Sequence, residues 1–219
     1  VYGLTMPLIT KADGTKFGKT EAGTVWLDPR RTSPYAFYQF WLSVADEDVY
    51  RFLRYFTFLD VAEIGELERA DAERAGRPEA QSVLASELTR LVHGDEGLTA
   101  ALRITQSLFS GDTSGLSAAD LEQLRLDGLP STMLDGAGLP DTLTQLLSDS
   151  GVASSGKQVK DALQRSAVVI NGRALGMDDN TRPAEVFDPA TALFGRFFLL
   201  RMGKKRYHLF VLGPPLEPI

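Results

Sequence analysis

Apolar residues recur at helical spacing over residues 32–110, and this pattern restricts the fold more than any other feature of the sequence. Val49, Phe52 and Phe56, for example, would share one face of a helix, and the aromatic run 35–42 is too apolar for a surface helix and predicts core. Because the segment is long and contains glycines, it predicts several helices rather than one. The expected helix starts are Ser33, Asp46, Asp60 and Ser117, and the expected breaks are Gly76, Gly94 and Gly111.

The pattern changes in the last third of the chain, where β-branched and aromatic runs adjoin turn residues. The run 168–170 predicts a strand that enters an Asn171-Gly172 turn. The runs 197–200 and 207–212 flank a basic turn and predict a hairpin. The predicted fold class is therefore mostly α with a small α+β domain.

Two short helices are predicted ahead of these strands, over residues 140–147 and 155–164. A segment rich in glycine and polar residues precedes them and predicts a linker. The predicted organisation is a mixed segment over 1–31, a helical domain over 32–128, a linker over 129–138, an α+β domain over 139–213 and a tail over 214–219.

Composition excludes several kinds of site. The 219-residue chain has no cysteine and two histidines, so disulfides, thiolate metal sites and cysteine nucleophiles are excluded and no protein-bound metal is expected. Charged residues interrupt every apolar run before it reaches the ~18 residues of a membrane helix, so no membrane partner is expected. The lack of cysteine suits a reducing compartment, and a cytoplasmic location is expected.

Charge is distributed unevenly along the chain, whose net charge is −6. Residues 151–219 contain ten Lys+Arg and six Asp+Glu, a net charge of +4. The first 150 residues contain thirteen Lys+Arg and 23 Asp+Glu, a net charge of −10. A basic end on an acidic body is typical of a chain that binds a polyanion with one end. An uneven solvated surface is the alternative interpretation.

A loop over residues 13–20 combines glycines with lysines, as phosphate-binding loops do. A P-loop has four residues between its first glycine and its final Gly-Lys-Ser/Thr, but three separate Gly14 from Gly18. Asp13 would also place a carboxylate against phosphate oxygens. The pattern alone therefore leaves two interpretations open, a phosphate-binding loop and a flexible cationic hairpin loop.

Residues 3–20 include Lys16-Phe-Gly-Lys19-Thr20 and resemble the KMSKS-type loop of bacterial tyrosyl-tRNA synthetases, which that family writes Lys-Phe-Gly-Lys-Ser/Thr. The resemblance continues in order to about Leu212, through segments such as Val25-Trp-Leu-Asp-Pro29 and Leu193-Phe-Gly-Arg-Phe197. The family's catalytic domain has a His-x-Gly-His motif that this sequence lacks. The chain is therefore expected to be the carboxy-terminal half of such an enzyme and to bind tRNA without catalysing a reaction.

The resemblance implies that residues 1–31 are the end of the catalytic domain, with Lys16 and Lys19 as catalytic residues of a mobile loop. Lys19, Gly18 and Thr20 would contact ATP, which binds as its magnesium complex. An ammonium group there stabilises the charge that develops on pyrophosphate when tyrosine is activated. The parent enzyme would then transfer tyrosine to its tRNA, and it would be a homodimer joined through the catalytic domain.

The resemblance also implies that the helical domain over 32–128 recognises the anticodon. Asp46 stands where the family has an aspartate that reads the first anticodon base, and a carboxylate can accept hydrogen bonds from the N1–H and N2–H₂ edge of guanine. The competing interpretation makes Asp46 a helix N-cap. Arg51 and Arg54 are candidate phosphate contacts, with salt bridges to nearby acidic residues as the alternative.

The basic end resembles the S-four-type RNA-binding domain of the same family over residues 154–163 and 167–172. A helix N-terminus beside lysines suits RNA phosphates. The expected partner is tyrosine tRNA, held at its long variable arm and anticodon stem, and DNA is not an expected partner. The residues of this end expected to contact RNA are Ser155, Lys157, Lys160, Arg165, Lys204, Lys205 and Arg206.

Three other functions are compatible with the sequence. The first is a stand-alone structured RNA-binding protein, and the second is a helical protein-interaction module that uses the acidic body. The third is a P-loop nucleotidase, which the spacing of Gly14 and Gly18 disfavours. Residues 176–183 have no chemistry that the sequence assigns.

Overall fold

The computed structural model describes residues 3, 9–15, 19–20, 23–134 and 138–213. They belong to two compact units, residues 1–101 and 102–219, which are described separately below. The predicted tail over 214–219 lies outside the described residues. No helix in the described part of the chain is long and apolar enough to cross a membrane.

The first unit is built from helices that follow a short hairpin. The hairpin strands, β1 (Lys19–Thr20) and β2 (Gly23–Thr24), pair antiparallel. The predicted break at Gly94 is present as a kink, with φ of 71° and ψ of −179°, and the helix continues beyond it. The helices are α1 (Pro34–Leu42), α2 (Asp46–Phe56), α3 (Val61–Glu73) and α4 (Ala80–Ser110), and the last residues of α4 belong to the second unit.

Local capping signals determine where two of these helices begin. The Ser33 hydroxyl accepts a hydrogen bond from the N–H of Ala36 (3.1 Å) and Pro34 is the first helical residue, so the predicted start is confirmed. The predicted start at Asp60 is also confirmed, and the Glu63 carboxylate accepts a hydrogen bond from the N–H of Asp60 (3.0 Å).

The N-cap interpretation of Asp46 is wrong. Ala45 has the extended N-cap conformation, with φ of −65° and ψ of 150°, and Asp46 is the first residue of α2. Asp46, Glu47 and Asp48 form an acidic first turn, which is favourable beside the positive end of the helix dipole. The three carboxylates therefore stabilise the helix end without a side-chain cap.

Aromatic side chains dominate the core of the first unit. The run in α1 that predicts core is confirmed, because Trp41 packs edge-to-face on Phe52 and Phe56 with ring centroids 6.4 and 5.4 Å apart. The buried Asp71 carboxylate links α3 to α4 by accepting a hydrogen bond from the N–H of Ala80 (3.0 Å). One apolar cluster thus includes residues of all four helices.

The second unit combines helices with a five-stranded sheet. The end of α4 leads to α5 (Ala118–Gln123), whose predicted start at Ser117 is confirmed by a hydrogen bond from the N–H of Asp120 to the Ser117 hydroxyl (3.2 Å). A π-helical turn (Leu124–Gly128) and two 3₁₀ turns (Met177–Thr181 and Pro189–Thr191) lie between the longer elements. Those elements are β3 (Ser131–Leu134), α6 (Leu143–Asp149), α7 (Gly156–Gln164), β4 (Val168–Ile170), β5 (Arg173–Leu175), α8 (Pro183–Val186), β6 (Phe197–Met202) and β7 (Arg206–Leu212).

The strands lie in the order β3-β7-β6-β4-β5, with β3 parallel to β7 and the other neighbours antiparallel. The predicted hairpin is confirmed as β6 and β7, with Leu200 opposite His208. The predicted tight turn is also confirmed, since Asn171 and Gly172 connect β4 to β5 with φ of 49° and 83°. Both turns follow from residue types at the turn itself.

The predicted linker over 129–138 is wrong for Ser131–Leu134, which form the edge strand β3. Four residues are too few to show a strand period in the sequence. The strand conformation depends on pairing with β7, in which Ser131 lies opposite Leu209 and Leu134 opposite Leu212. The residues that stabilise this segment as a strand therefore lie on β7, far from it along the chain.

The compact units divide between residues 101 and 102, earlier than the predicted end of the helical domain at 128. Contacts within the second unit explain the difference. The Tyr207 hydroxyl on β7 donates a hydrogen bond to the carbonyl of Leu108 on α4 (2.9 Å), and Arg196 forms an ion pair with Glu122 on α5. The end of α4 and all of α5 are thereby attached to the sheet.

The core of the second unit lies between the sheet and helices α6 and α7. Predicted helix bounds are close to the observed ones, although α6 begins at Leu143 rather than at 140. Phe187 packs edge-to-face on Phe198 and Phe210, with ring centroids 5.1 and 5.0 Å apart. The fully buried side chains here include Leu143, Leu147, Leu163, Phe198 and Phe210.

His208 is buried at the junction of β7 with β3. Its side chain is 3% exposed, and Nε2 lies 2.9 Å from the Thr132 hydroxyl of β3. Burial lowers the pKa of His208 to about 4, because the imidazolium would lose its hydration. The edge strand is thus held by a histidine that stays neutral at physiological pH.

We expect the free energy of unfolding to fall by about 3 kcal/mol more in the unaltered protein than in His208→Gln between pH 7 and pH 4. The unfolded histidine binds a proton below its ordinary pKa, whereas folded His208 does so only below about 4. The stabilisation is therefore complete above the ordinary pKa and is lost as pH falls toward 4. Denaturant titrations across this range measure the difference, and parallel pH profiles would contradict it.

Candidate nucleic-acid interface

The loop with the predicted catalytic lysines is only partly described. Lys16 and Gly18 lie outside the described residues, and for Lys19 and Thr20 the description covers the backbone, which pairs with Thr24 and Gly23. Their predicted contacts with ATP stay predictions. In the described part of the chain no three acidic or histidine side chains converge as metal ligands.

The start of this loop is a tight turn over residues 11–15. The N–H of Lys11 donates to the carbonyl of Thr15 (2.8 Å), and the Thr15 hydroxyl donates to Asp13 Oδ1 (2.6 Å). Hydrogen bonds from the Thr15 side chain and backbone hold the pKa of Asp13 below its ordinary value. Asp13 thus has a local structural role at the base of the loop.

Arg51 and Arg54 form ion pairs, so the salt-bridge alternative is confirmed for both. Arg51 pairs with the buried Asp48, and its Nη2 also donates to the carbonyl of Thr10 (2.7 Å). Arg54 Nη2 lies 2.7 Å from Glu68 Oε2. Arg51 therefore links Thr10, which precedes the turn over residues 11–15, to helix α2.

Asp46 is exposed on the first turn of α2, and its carboxylate has one identified donor. Gln81 Nε2 donates to Asp46 Oδ1 (2.5 Å) from the first turn of α4. Gln81 is 4% exposed and is a positioning residue that the sequence analysis missed, because a glutamine 35 residues away gives no local signal. The carboxylate is thus held at the surface, where an RNA base can approach it.

Four of the seven predicted RNA-contacting residues of the basic end line one groove. The groove lies between α7 and the β6–β7 turn, and its volume is about 770 Å³. We call it the basic groove. Its lining consists of Gln158, Asp161, Ala162, Arg165, Ala167, Met202, Gly203, Lys204, Lys205 and Arg206.

Local structure orients the cations of the basic groove. Ser155 caps α7, and its hydroxyl accepts a hydrogen bond from the N–H of Gln158 (3.4 Å). Arg206 Nη1 donates to the carbonyl of Val152 (2.9 Å), which fixes one guanidinium at the edge of the groove. Gly203, with φ of 68°, permits the turn that presents the two lysines.

Lys157 and Lys160 lie on α7 but do not line the groove. Both are exposed, and their spacing of three residues places them on one face of the helix. The structure therefore brings together Arg165, Lys204, Lys205 and Arg206, with Lys157 and Lys160 on the adjacent helix surface. Gln158 and Asp161, which also line the groove, are polar helix residues without a distinguishing sequence signal.

Ion pairing separates these cations from five other arginines of the same unit, Arg103, Arg125, Arg173, Arg182 and Arg196. Within the described residues, none of the six basic-end cations forms an ion pair, although Asp161 lies in the groove. In contrast, Arg103 binds Asp120 through two hydrogen bonds (2.8 and 2.7 Å), and Arg173 lies 2.6 Å from Asp179. An uncompensated set of cations attracts a polyanion.

Two family models match the chain. Residues 1–110 match the class I tRNA synthetases of the tryptophan and tyrosine type. Residues 120–210 match the tyrosine–tRNA ligase SYY-like C-terminal domain. The first match covers half of the chain, and the two matches follow each other without overlap.

Curated relatives agree with the family models. The tyrosine–tRNA ligase of Aliivibrio fischeri is 52% identical over 211 residues, which are 96% of this chain and 48% of the relative. The enzyme of Klebsiella pneumoniae is 54% identical over 209 residues, covering 95% and 47%. That of Laribacter hongkongensis is 56% identical over 216 residues, covering 96% and 48%.

The chain thus spans about half the length of the curated relatives it matches. Family models and relatives both assign its residues to one class of enzyme. The chain belongs to the tyrosyl-tRNA synthetase family, within the class I aminoacyl-tRNA synthetases.

Proposed function

We propose that this chain is the tRNA-binding, carboxy-terminal part of a cytoplasmic tyrosine–tRNA ligase. The whole enzyme would activate tyrosine with ATP to tyrosyl-adenylate and transfer it to tyrosine tRNA. The observation that carries RNA binding is the set of cations around the basic groove, which have no ion-pair partner among the described residues. The relatives' names support the choice of tyrosine tRNA.

In this proposal the basic groove holds the phosphate backbone of the long variable arm and anticodon stem. Lys204 and Lys205 are exposed and can follow a backbone, whereas hydrogen bonds to the carbonyls of Asp161 and Val152 orient Arg165 and Arg206. Lysine and arginine contacts to phosphates position an RNA without reading its sequence. The α+β domain would therefore supply affinity rather than base recognition.

Base recognition is assigned to Asp46 on α2. The Gln81 hydrogen bond orients the carboxylate, and the exposed face of Asp46 would accept hydrogen bonds from the first anticodon base, a guanine. Lys16, Lys19, Gly18 and Thr20 would act on ATP and its magnesium ion in the whole enzyme, which would dimerise through its catalytic domain. The chain by itself would bind tRNA and catalyse no reaction.

We expect Lys204→Ala/Lys205→Ala to weaken binding of tyrosine tRNA and to make its salt dependence shallower. Each phosphate contact contributes about 0.7–0.9 to the slope of log affinity against log salt, so the loss of two contacts changes the slope by about 1.5. Titrations of the purified chain at several salt concentrations measure the slope. A tRNA without its long variable arm should bind more weakly and show a smaller effect of the substitution.

The matched control is Arg173→Ala/Arg182→Ala, which removes the same charge from the same unit. Arg173 and Arg182 are paired with Asp179 and Glu185, so they are not expected to contact phosphates. Equal slopes for the two double variants would contradict a specific role for the basic groove. Equal binding of tRNA with and without the arm would indicate that the first unit, rather than the basic groove, recognises the tRNA.

We expect Asp46→Asn to weaken binding of tRNA with guanine at the first anticodon position by about 1–3 kcal/mol and to reduce discrimination against adenine there. The helix should lose little stability, because Ala45 rather than Asp46 is the N-cap and Glu47 and Asp48 keep the first turn acidic. Glu47→Gln removes the same charge from the same helical turn and is the control. Equal losses of tRNA affinity for the two variants would show that binding depends on the charge of the helical turn and not on a contact between Asp46 and the base.

A further inference from the structure

A phenylalanine occupies a backbone conformation that suits glycine or asparagine. Phe194 and Gly195 have φ of 53° and 68°, and they form a two-residue turn closed by hydrogen bonds from the N–H of Arg196 to the Leu193 carbonyl (3.0 Å) and from the N–H of Leu193 to the Phe197 carbonyl (2.8 Å). Turns with positive φ at both central residues favour Asn-Gly. A bulky side chain at such a position is strained.

Packing does not compensate this strain, because the Phe194 side chain is 58% exposed. Among the described residues, the other non-glycine residues with positive φ are Ser166 and Asn171, which are small and polar. The amide of Asn171 also makes hydrogen bonds that explain its conformation, since its Oδ1 accepts from the N–H of Leu199 (2.9 Å). The backbone of Phe194 therefore reduces stability, and its ring gains little from burial to offset this.

Phe194 lines a cavity of about 490 Å³ within the second unit. Three segments form its walls: residues 111–116, the Asn171-Gly172 turn and the Leu193-Phe194 pair. The Asn171-Gly172 wall is attached to the sheet, because the Asn171 hydrogen bond to Leu199 joins the β4–β5 turn to β6. The Leu193-Phe194 wall directly precedes β6 in the chain.

The chemistry of this cavity differs from that of the basic groove. Its lining residues include no lysine or arginine and contain one carboxylate, Asp112. Hydrogen bonds from the side chain (2.7 Å) and the backbone (3.0 Å) of Ser114 hold the pKa of Asp112 below its ordinary value. A carboxylate repels phosphate and accepts hydrogen bonds from N–H groups, while an exposed aromatic ring offers a stacking surface.

We infer that this cavity binds an unstacked nucleobase of the bound RNA, stacked on Phe194 with its N–H edge toward Asp112. The inference rests on the proposed RNA binding and adds a base contact to it. Phe194 precedes β6 and Lys204 follows it, and a six-residue strand spans about 20 Å. One RNA molecule can therefore place phosphates in the basic groove and a base in the cavity.

The test compares Phe194→Asn with Phe194→Trp in titrations against tyrosine tRNA. Asparagine suits the turn and removes the ring, so we expect melting to shift upward by about 2–4 °C while tRNA affinity falls by between about 5-fold and 150-fold. Stacking contributes little to counterion release, so the salt slope should not change. Tryptophan should retain the affinity and show fluorescence quenching when RNA binds.

Phe109→Asn is the matched control, because Phe109 is a 91% exposed phenylalanine of the same unit that does not line the cavity. It should bind tRNA as the unaltered chain does. Unchanged affinity of Phe194→Asn, or equal losses in Phe109→Asn and Phe194→Asn, would overturn the inference and leave RNA binding by the groove intact. If the unaltered chain binds no RNA, the proposed function fails and the base site fails with it.

Discussion

The antiparallel pairing of β6 with β7 is the interaction on which the second unit depends. β7 also pairs with β3 and β6 with β4, so this hairpin joins the two sides of the sheet. Tyr207 on β7 holds the end of α4, and His208 lies against Thr132 of the edge strand. The turn between the strands presents the lysines of the basic groove. Sheet stability and the proposed RNA binding therefore depend on the same hairpin.

Electrostatics in the second unit serve two separate purposes. Burial disfavours the charged form of Asp120, which is 0% exposed, but hydrogen bonds from Arg103 and Ser117 outweigh it and keep its pKa below the ordinary value. This pair fixes α4 to α5. The cations around the basic groove have no such partners among the described residues, so their field remains available to a ligand. Ion pairing thus distinguishes arginines such as Arg103 and Arg173 from the candidate RNA contacts.

Features that depend on neighbouring residues could be predicted from the sequence. The starts at Ser33 and Ser155 and the Asn171-Gly172 turn each rest on residue types within three positions of the feature. The uneven charge likewise predicted a basic end, and the family resemblance named its cations, four of which line the groove. Strand β3 could not be predicted, because its partner is β7.

Side-chain contacts between distant residues could not be predicted either. Asp46 has the residue type of a cap, but Ala45 takes that position and Gln81 supplies the hydrogen bond across 35 residues. Phe194 lies in an apolar stretch that is typical of a strand, so the sequence gives no indication of its positive φ or its exposure. The charged residues of the candidate site could thus be predicted, but their arrangement in space could not.

The strained turn at Phe194 and the unpaired cations have one energetic feature in common. Each lowers the stability of the isolated chain, the first through backbone strain that burial of the ring does not offset, the second through mutual repulsion of like charges. In the proposed complex, phosphates would neutralise the cations and a base would bury the Phe194 ring. The two contacts would differ in their response to salt, which screens the phosphate contacts and leaves stacking almost unchanged. The affinity of the second unit for RNA would therefore still depend on the stacked base at salt concentrations that weaken its contacts with the phosphate backbone.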